Sequence, residues 1–380
     1  MNRARSMLLW VIMIAMLALS ACAGQAPIAA PVEKQPESAS KSDEFVFTDT
    51  AGKEHKLTLP LDRVVVLNRN TAEAIQLLGA QEHVIATGDT TIQNNPYLPF
   101  ASLPDVGKTS EVNLELLLSL KPKAVFTYTN RPDIMLEQKL EPAGIAVIRI
   151  NNYLPEQTDD ELRLLGRLFG KEDRAEQFLA WKKGLEDMLA ERVKQIPESE
   201  KKSVLALSVG FLNSNGGYRV FPSLAKDGSP GVGEGYATVL AGGRDAADVR
   251  WDRAEASTTI LVDEEYILSH DPDVITLHGT FLGGYNAKDT QEHQKVLDNI
   301  RNISSVPRLK AGKNNELYVF HTNIIGSDKR YIGVLQLAKV LYPERFADIQ
   351  PDAYLKEYFE RWLGVPYQGV WHYSEKPVNG

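Results

Sequence analysis

The amino-acid sequence predicts an α/β protein built from two similar lobes that are joined by one long α-helix. Two stretches about 150 residues apart, ELLLSLKPKAVF (115–126) and EYILSHDPDVIT (265–276), share Glu, Leu, Ser and Pro at equivalent places. Short β-rich runs alternate with helical patterns on both sides of residues 171–195, which favours mostly parallel sheets covered by helices. Residues 171–195 themselves carry apolar side chains at helical spacing over a length of ~37 Å.

Residues 1–21 have the pattern of an export signal. Arg3 and Arg5 precede an apolar run of ~13 residues, which is short for a membrane-spanning helix but suits a signal. The run ends in LSAC (19–22), which resembles a bacterial lipobox, so Cys22 is the predicted lipidation site. The alternative is a plain secretory signal in which Cys22 has no role. Because Cys22 is the only cysteine, no internal disulfide can form.

Residues 22–44 are predicted to be a flexible tether outside the cytoplasmic membrane. They are rich in Ala, Pro, Ser and charge, without an apolar period that could stabilise a fold. The whole chain has 42 Lys and Arg against 50 Asp and Glu. Removing residues 1–21 removes two arginines, so 40 − 50 leaves a net charge of −10. An acidic body without a basic tract argues against nucleic-acid partners and against electrostatic membrane binding.

The first lobe, residues 45–170, begins with a predicted hairpin and continues as alternating strands and helices. FVFTDTAGKEHKLTL (45–59) contains two short alternating runs around an Asp/Gly turn. Helical patterns such as TAEAIQLLG (71–79) and NLELLLSLKP (113–122) separate the later strands. Those predicted strands are RVVVL (63–67), HVIATG (83–88), KAVFTY (123–128) and IAVIRI (145–150).

A bridging helix is predicted over residues 171–196, and Pro197 follows it as a stop signal. The second lobe, residues 197–380, resumes the alternation of strands and helices. The duplicated phrase has the same position in both lobes, since a helix ends just before a proline and a buried strand follows. The predicted strands of the second lobe are SVLALSV (203–209), DVITLH (273–278) and ELYVFH (316–321).

Arginine, aromatic and amide side chains follow the predicted strands. Ligands of open α/β sheets bind beyond the carboxyl ends of the strands, where loops and helix N-termini converge. Such a lining suits a bulky, partly apolar, anionic ligand held by stacking and charge-assisted hydrogen bonds. Each residue also has an ordinary structural role open to it, such as capping a turn. The candidate ligand-binding residues are Arg69, Tyr128, Arg131, Asn213, His278, Tyr285, His321 and Arg330.

The sequence resembles the substrate-binding lipoproteins of ABC importers for iron-siderophore complexes, haem and cobalamin, the class III binding proteins with a helical backbone. The resemblance covers nearly everything after the tether, including a closing helix region at 328–346 and a last packing helix at 354–364. It rests on DRVVVL, AEAIQLLGAQEHVIATG, PDVGKTSEVNLELLLSLKPKAVF, LEPAGIAVI and EEYILSHDPDVITLHG. It implies two Rossmann-like lobes that enclose the ligand in a cleft between them.

The resemblance also implies a partner, because one surface glutamate from each lobe docks on arginines of a permease dimer in this family. The matching residues are Glu115 and Glu265, with Glu264 as the competing match in the second lobe. Both glutamates also fit ordinary helix chemistry, since an acid in the first turn behind an N-cap is stabilising by about 0.3–1 kcal/mol.

The implied function is capture of a siderophore-type iron chelate and its delivery to a permease that a cytoplasmic ATPase drives. Cobalamin, haem or an oxyanion such as molybdate is the alternative cargo, and Arg69 with Arg131 would be the partners of an oxyanion. No catalytic residue, metal ligand or cofactor of the protein's own is expected.

Three other classes of function are alternatives. A metal-ion binder needs several converging ligands, but the seven histidines are scattered without an HxH or HxxxH pattern. An extracytoplasmic hydrolase is the enzyme alternative, yet GxSxG, HExxH and Walker A motifs are absent. The glycines of GVGEGYATVLAGG (231–243) are attributed to turns. A sensor or scaffold that keeps the fold without delivering a ligand is the third alternative.

Overall fold

The computed structural model of the protein describes residues 44–211, 217–255, 257–326 and 329–376. The predicted signal peptide, Cys22, the tether up to residue 43 and Asn213 lie outside these residues. The described part of the chain belongs to one compact unit. Within it, no helix has both the length and the apolar character that a membrane crossing requires.

The first lobe contains the predicted hairpin and a parallel sheet. Strands β1 (Glu44–Thr48) and β2 (Glu54–Thr58) pair antiparallel. A separate parallel sheet has the order β4-β3-β7-β8, and β5 and β6 form a small antiparallel pair. The strands after the hairpin are β3 (Val64–Val66), β4 (Val84–Thr87), β5 (Gly107–Lys108), β6 (Glu111–Val112), β7 (Ala124–Thr127) and β8 (Ala146–Arg149).

Helices cover this sheet, and its central strands are buried. Every residue of β3 and β7 is buried, which explains why both strands read as continuous apolar runs rather than as alternating patterns. The helices are α1 (Arg69–Leu77), α2 (Asp89–Asn94), α3 (Leu114–Leu120), α4 (Met135–Leu140) and α5 (Thr158–Phe169).

The long predicted helix is present as α6 (Glu172–Lys194), which has 23 residues. Acids lie in its first turn and Arg192 and Lys194 in its last, so both ends complement the helix dipole. Its buried side includes Phe178 and Leu185. The helix lies between the two sheets in chain order, and the lobe boundaries at residues 170 and 197 stay a prediction.

The second lobe has a mixed sheet of seven strands in the order β14-β10-β9-β15-β16-β17, with β12 also paired to β9. Strands β9, β15 and β16 are parallel, whereas β10, β14 and β17 run antiparallel to their neighbours. The strands are β9 (Ser203–Ser208), β10 (Gly217–Val220), β11 (Leu224–Ala225), β12 (Arg244–Asp245), β13 (Arg250–Trp251), β14 (Ile260–Asp263), β15 (Val274–Gly279), β16 (Leu317–His321) and β17 (His372–Tyr373).

The C-terminal helices pack across to the first lobe. All residues of α12 are buried, and Gln76 on α1 donates a hydrogen bond to the Leu363 carbonyl at 2.7 Å. The last packing helix is therefore a core element, as its Leu, Tyr and Phe content predicts. The helices are α7 (Gly233–Leu240), α8 (Glu264–His270), α9 (Gln291–Arg301), α10 (Lys310–Lys313), α11 (Thr322–Ile325), α12 (Arg330–Leu341) and α13 (Pro351–Glu357), followed by a π-helix at Tyr358–Leu363.

The duplicated phrase folds the same way twice. The N-caps Asn113 and Asp263 accept hydrogen bonds from backbone N–H groups three residues later, opening α3 and α8. Both helices end at a residue with a left-handed backbone, Lys121 (φ 48°) and Asp271 (φ 37°). A proline and then a buried central strand follow in each lobe. The repeat in sequence is thus a repeat in structure.

The Gly-rich segment at 231–243 is not a series of turns, because residues 233–240 form α7. A Cβ added to Gly233 would lie 2.5 Å from the Gly326 carbonyl oxygen, and one added to Gly235 would lie 2.4 Å from the Pro222 oxygen. These glycines serve close packing of a helix against neighbouring backbone, which local pattern does not indicate.

Candidate ligand-binding cleft

A cavity of about 590 Å³ lies at the carboxyl ends of β9 and β15 in the second lobe. Hydroxyl and aromatic side chains dominate its lining, together with one arginine, one glutamate and one histidine. Ligands of open α/β sheets bind at the carboxyl ends of the strands, but all the residues that line this second-lobe cavity belong to the second lobe, whereas the sequence predicts a cleft between the lobes. The cavity is lined by Ser208, Gly210, Arg219, Phe221, Glu234, Ser257, Thr258, Thr259, His278, Gly279, Thr280, Phe281 and Thr322.

His278 is a neutral member of this lining. It lies on β15 beside Ser208 of β9, and its Nε2 is 2.8 Å from the Thr276 hydroxyl. Burial lowers the pKa of its imidazole to about 3, so the ring is uncharged at neutral pH. Its Nδ1 has no hydrogen-bond partner among the described residues. His278 therefore offers the cavity a neutral ring.

Glu234 supplies the acid of the cavity. It lies in the first turn of α7, and only 8% of the residue is exposed. Burial raises the pKa of its carboxyl group, while a hydrogen bond with Thr322 and the positive charge of Arg69 act in the opposite direction. Burial thus disfavours the ionised form of this acid, and Thr322 is its hydrogen-bond partner.

Arg69 reaches from the first lobe to the second. It is the first residue of α1, and Asn68 caps that helix by accepting hydrogen bonds from Asn70 and Thr71. The Arg69 guanidinium donates to Asn323 on α11 and, at 3.4 Å, to Asn95. Asn323 directly follows Thr322, a residue of the cavity lining. Arg69 thus places a half-buried cation near the rim of the second-lobe cavity.

Tyr128 and Arg131 form a second cationic group on the first lobe. The Arg131 guanidinium carbon lies 4.5 Å from the centre of the Tyr128 ring, and Tyr153 meets the same ring edge-on at 5.8 Å. The Tyr128 hydroxyl donates to Asn70. Arg131 is exposed, so its charge is available to solvent or to a ligand.

The loop after β8 contacts the second lobe. Leu154 is buried in a small apolar cluster with Phe221, a residue of the cavity lining, and Trp251. Glu156 pairs with Arg253 at 3.0 Å across the same junction. The two lobes therefore contact each other directly beside the second-lobe cavity.

Arg330 lies elsewhere, in a cavity of about 420 Å³ beside α6. Lys182, Glu186 and Tyr236 are among the residues that line this helix-side cavity. Burial lowers the pKa of the Arg330 guanidinium, which donates to the Pro155 carbonyl at 3.4 Å. Its Nε has no hydrogen-bond partner among the described residues.

His321 and Tyr285 lie in packed surroundings. The His321 Nδ1 accepts from the Asn323 backbone N–H and caps α11, and its ring meets Trp371 edge-on at 5.2 Å. Tyr285 stacks on Phe359 at 5.8 Å and donates its hydroxyl to the Pro366 carbonyl. Seven of the eight candidates are thus divided among the cavity and its rim, the Tyr128–Arg131 group of the first lobe, the helix-side cavity and an aromatic cluster, while Asn213 is outside the described residues.

Glu234, Arg219 and Phe221 were not among the ligand-binding residues predicted from the sequence. Arg219 and Phe221 lie on or just after β10, a short antiparallel strand that the βα alternation did not include. Glu234 lies within the Gly-rich segment that was attributed to turns. The available signal was the aromatic and arginine content of GYRVF (217–221).

The two predicted docking glutamates are at equivalent positions on α3 and α8. Glu115 and Glu265 are both exposed in the first turns of these helices. Glu264 differs, because its carboxylate accepts a hydrogen bond from Ser304 at 2.7 Å and lies 3.6 Å from Arg308. Glu265 therefore matches Glu115 in the exposure of its side chain better than Glu264 does.

Among the described residues, no group of three or more His, Cys, Asp or Glu side chains is arranged to hold a metal ion.

The chain is similar to several known binding proteins. The chain is 23% identical to the molybdate-binding protein MolA of Haemophilus influenzae over 342 residues, which cover 83% of this chain and 90% of that protein. It is 25% identical to the Fe(3+)-citrate-binding protein YfmC of Bacillus subtilis over 73% of this chain and 78% of that protein. The solved structure of the TroA-like periplasmic binding protein FepB from Veillonella parvula matches with a TM-score of 0.67 and 22% identity, covering 87% of this chain and 99% of that chain.

The family profile described as "Periplasmic binding protein" matches residues 64–323, which include strands of both sheets and the whole of α6. The two separate sheets, the long helix and the repeated helix-proline-strand unit agree with that match. The chain therefore belongs to the periplasmic binding protein family, the substrate-binding proteins of ABC importers.

Proposed function

We propose that this protein is an extracytoplasmic lipoprotein that captures a siderophore-type iron chelate between its lobes and delivers it to an ABC permease. The observation that carries the proposal is the second-lobe cavity of about 590 Å³, with Phe221 and Phe281 in its lining and Arg69 near its rim. Pockets for small organic ligands have volumes of about 300–1,000 Å³ and combine apolar walls with a few polar groups. Binding and release need no chemical step.

The proposed ligand contacts divide between the lobes. Arg69, Tyr128 and Arg131 present charge and an aromatic face from the first lobe, and His278 presents a neutral ring from the second. His321 acts by capping α11, which carries Asn323 to Arg69. Arg330, Tyr285 and Asn213 stay proposed ligand residues from the sequence, and contact with Arg330 would require a ligand that extends into the helix-side cavity.

Molybdate is the second candidate cargo. It is favoured by the similarity to the molybdate-binding protein MolA and by the arginines of the first lobe. A bare oxyanion would fill only a small part of the second-lobe cavity, and the phenylalanine side chains there offer it nothing. The size of the cavity and its two phenylalanine side chains therefore favour a chelate over an oxyanion, and the same argument keeps haem and cobalamin as bulkier alternatives.

Native mass spectrometry of the protein purified from its host tests the cargo. We expect a co-purified iron complex at one equivalent, which returns unchanged after incubation with the protein. A ligand that is converted during incubation would indicate an enzyme instead. Protein that binds molybdate but no iron chelate would overturn the proposal in favour of the second candidate.

Delivery rests on the exposed glutamates and on the anchor at Cys22. One acid at an equivalent place on each lobe can meet a dimeric permease with one ion pair per subunit, and screening within ~10 Å keeps such contacts short-ranged. Glu115→Ala with Glu265→Ala should abolish growth on the ligand while leaving ligand affinity unchanged. Glu191→Ala with Glu344→Ala, two other exposed acids, is the matched control. Normal growth of the Glu115/Glu265 variant would indicate a sensor or scaffold.

A further inference from the structure

Glu234 is an acid in a cavity whose other lining groups are mostly neutral. The imidazole of His278 is uncharged, and six hydroxyl side chains contribute no charge: Ser208, Ser257, Thr258, Thr259, Thr280 and Thr322. Arg219 supplies the cation, and its guanidinium donates to the Thr259 carbonyl at 3.3 Å. The cavity lining thus contains one acid and one cation among mostly neutral groups.

The surroundings of Glu234 hold its carboxylate in place. A Cβ added to Gly326 would lie 2.2 Å from the Glu234 carboxyl carbon and within 2.5 Å of both its oxygens. Only glycine at position 326 leaves room for the acid where it is. Gly233 packs against the same backbone, so α7 cannot move away from Gly326 without losing this contact. The carboxylate is therefore fixed against one wall of the cavity.

Glu234 discriminates between ligands by their charge. Its carboxyl group already has Thr322 as a hydrogen-bond partner, and burial raises its pKa, so a ligand ammonium group placed against it favours the ionised form that burial disfavours. A ligand that presents only carboxylate or oxo oxygens offers no such compensation. Arg69 at the rim instead favours anionic groups. Glu234 and Arg69 together therefore orient a ligand that is cationic at one end and anionic at the other.

We propose that Glu234 is a specificity-determining residue that accepts a hydrogen bond from the bound iron chelate. It selects chelates that carry an ammonium group over chelates that carry only neutral groups or anionic oxygens. The acceptor-rich side of the ligand then faces Arg69 and Arg131, and the donor-bearing side enters the second-lobe cavity. This inference rests on the proposed function and assigns the chemical class of its ligand.

Two ligands with the same iron centre provide the test. Ferrioxamine B carries a terminal ammonium group, and its N-acetylated form lacks that charge; ferric citrate represents chelates with anionic oxygens only. Binding to the full-length protein is measured by tryptophan fluorescence for the wild type, Glu234→Gln and Glu234→Asp. Glu344→Gln, an exposed acid on another surface, is the control.

We expect the wild type and the control to bind ferrioxamine B at least 10-fold more tightly than its N-acetylated form. In Glu234→Gln this ratio should fall towards 1, and affinity for ferric citrate should rise several-fold. Glu234→Asp keeps the charge but retracts it by one methylene, so it should retain part of the discrimination. Unchanged thermal unfolding of the variants would show that they fold.

Two results would overturn the inference in different ways. If the wild type binds iron chelates but the ratio is the same in Glu234→Gln, Glu234 does not determine specificity and the proposed function stands. If the wild type binds none of the three chelates, the proposed function and this inference fail together.

Discussion

Two of the regions in which the lobes meet differ in how they hold charged side chains. In one region, Glu73 of α1 and Lys329, which precedes α12, form an ion pair with 1% and 0% of their side chains exposed. At the rim of the second-lobe cavity, half-buried Arg69 contacts the neutral amide of Asn323 instead. One contact is sealed from water, whereas the other can exchange its partner for a ligand.

The sealed contact, which we name the inter-lobe joint, is fully hydrogen-bonded. The Glu73 carboxylate accepts from the hydroxyls of Tyr358 at 2.7 Å and Tyr97 at 2.6 Å, and from the Asn95 amide at 2.6 Å. Lys329 also lies 5.3 Å from the centre of the Tyr358 ring. A buried pair is stable only when its remaining hydrogen-bonding groups are satisfied in this way.

This contrast indicates where the protein can move. The inter-lobe joint, α6 and the C-terminal helices hold α1 against the second lobe, so a large hinge motion would expose buried charge. Movement at the rim costs much less, because an arginine that leaves a neutral amide can be solvated. Ligand entry is therefore expected to rely on rim side chains and small displacements.

The largest effect is predicted at the inter-lobe joint. Glu73→Ala leaves the Lys329 ammonium buried without a counter-charge, which should lower the free energy of unfolding by about 3–5 kcal/mol. Urea denaturation followed by circular dichroism measures this change.

The control for the joint replaces both charges. Glu73→Gln combined with Lys329→Met removes the pair without leaving a lone charge, so it should be less destabilising than Glu73→Ala. A loss below about 1 kcal/mol in Glu73→Ala, the level of an exposed pair, would refute the sealed character of the joint.

The next effect concerns pH and the buried histidines. The pKa of His278 and that of His321 are both lowered to about 3, mainly by burial. Between about pH 6.5 and 3 the unfolded chain therefore binds more protons than the folded one, so stability falls as the pH falls. Each histidine should contribute about 1.4 kcal/mol per pH unit in this window.

The pH prediction is checked by the slope of unfolding free energy against pH. His278→Gln should make the slope shallower between pH 6 and about 4, even if it is destabilising at every pH. His270→Gln, a change at an exposed histidine of α8, serves as the comparison. Equal slopes for wild type and His278→Gln would mean that His278 is protonated in the folded protein.

Local patterns in the sequence predicted the helices and strands that are specified by neighbouring residues. The caps at Asn113 and Asp263, the prolines at 122 and 272 and the apolar strands are read from adjacent residues, and the structure has them where expected. The fold class, with two lobes and a long helix, follows from these units.

Features that depend on contacts between residues distant in sequence could not be predicted from local pattern. Helix α7 packs closely because Gly233 and Gly235 let its backbone approach that of Gly326 and Pro222, about 90 and 13 residues away in sequence. The surroundings of Arg330 and Tyr285 likewise depend on α6 and on the C-terminal segment. Strand ends predicted which side chains lie near the sheet edge, but not which of them line the same cavity.

The smallest effect on stability, with a measurable effect on binding, is predicted at the rim. Arg69→Met keeps the length of the side chain but removes its charge and its hydrogen bond to Asn323. Because the partner is a neutral amide and the site is half-buried, unfolding free energy should change by less than about 1 kcal/mol. Affinity for ferric citrate should fall by about 10-fold, the loss expected when one charge-assisted hydrogen bond is removed. Arg167→Met, at an exposed arginine of α5 in the same lobe, is the matched control and should leave affinity unchanged. If Arg69→Met were as destabilising as Glu73→Ala, the rim would be a second structural joint, and the contrast between the two regions would fail.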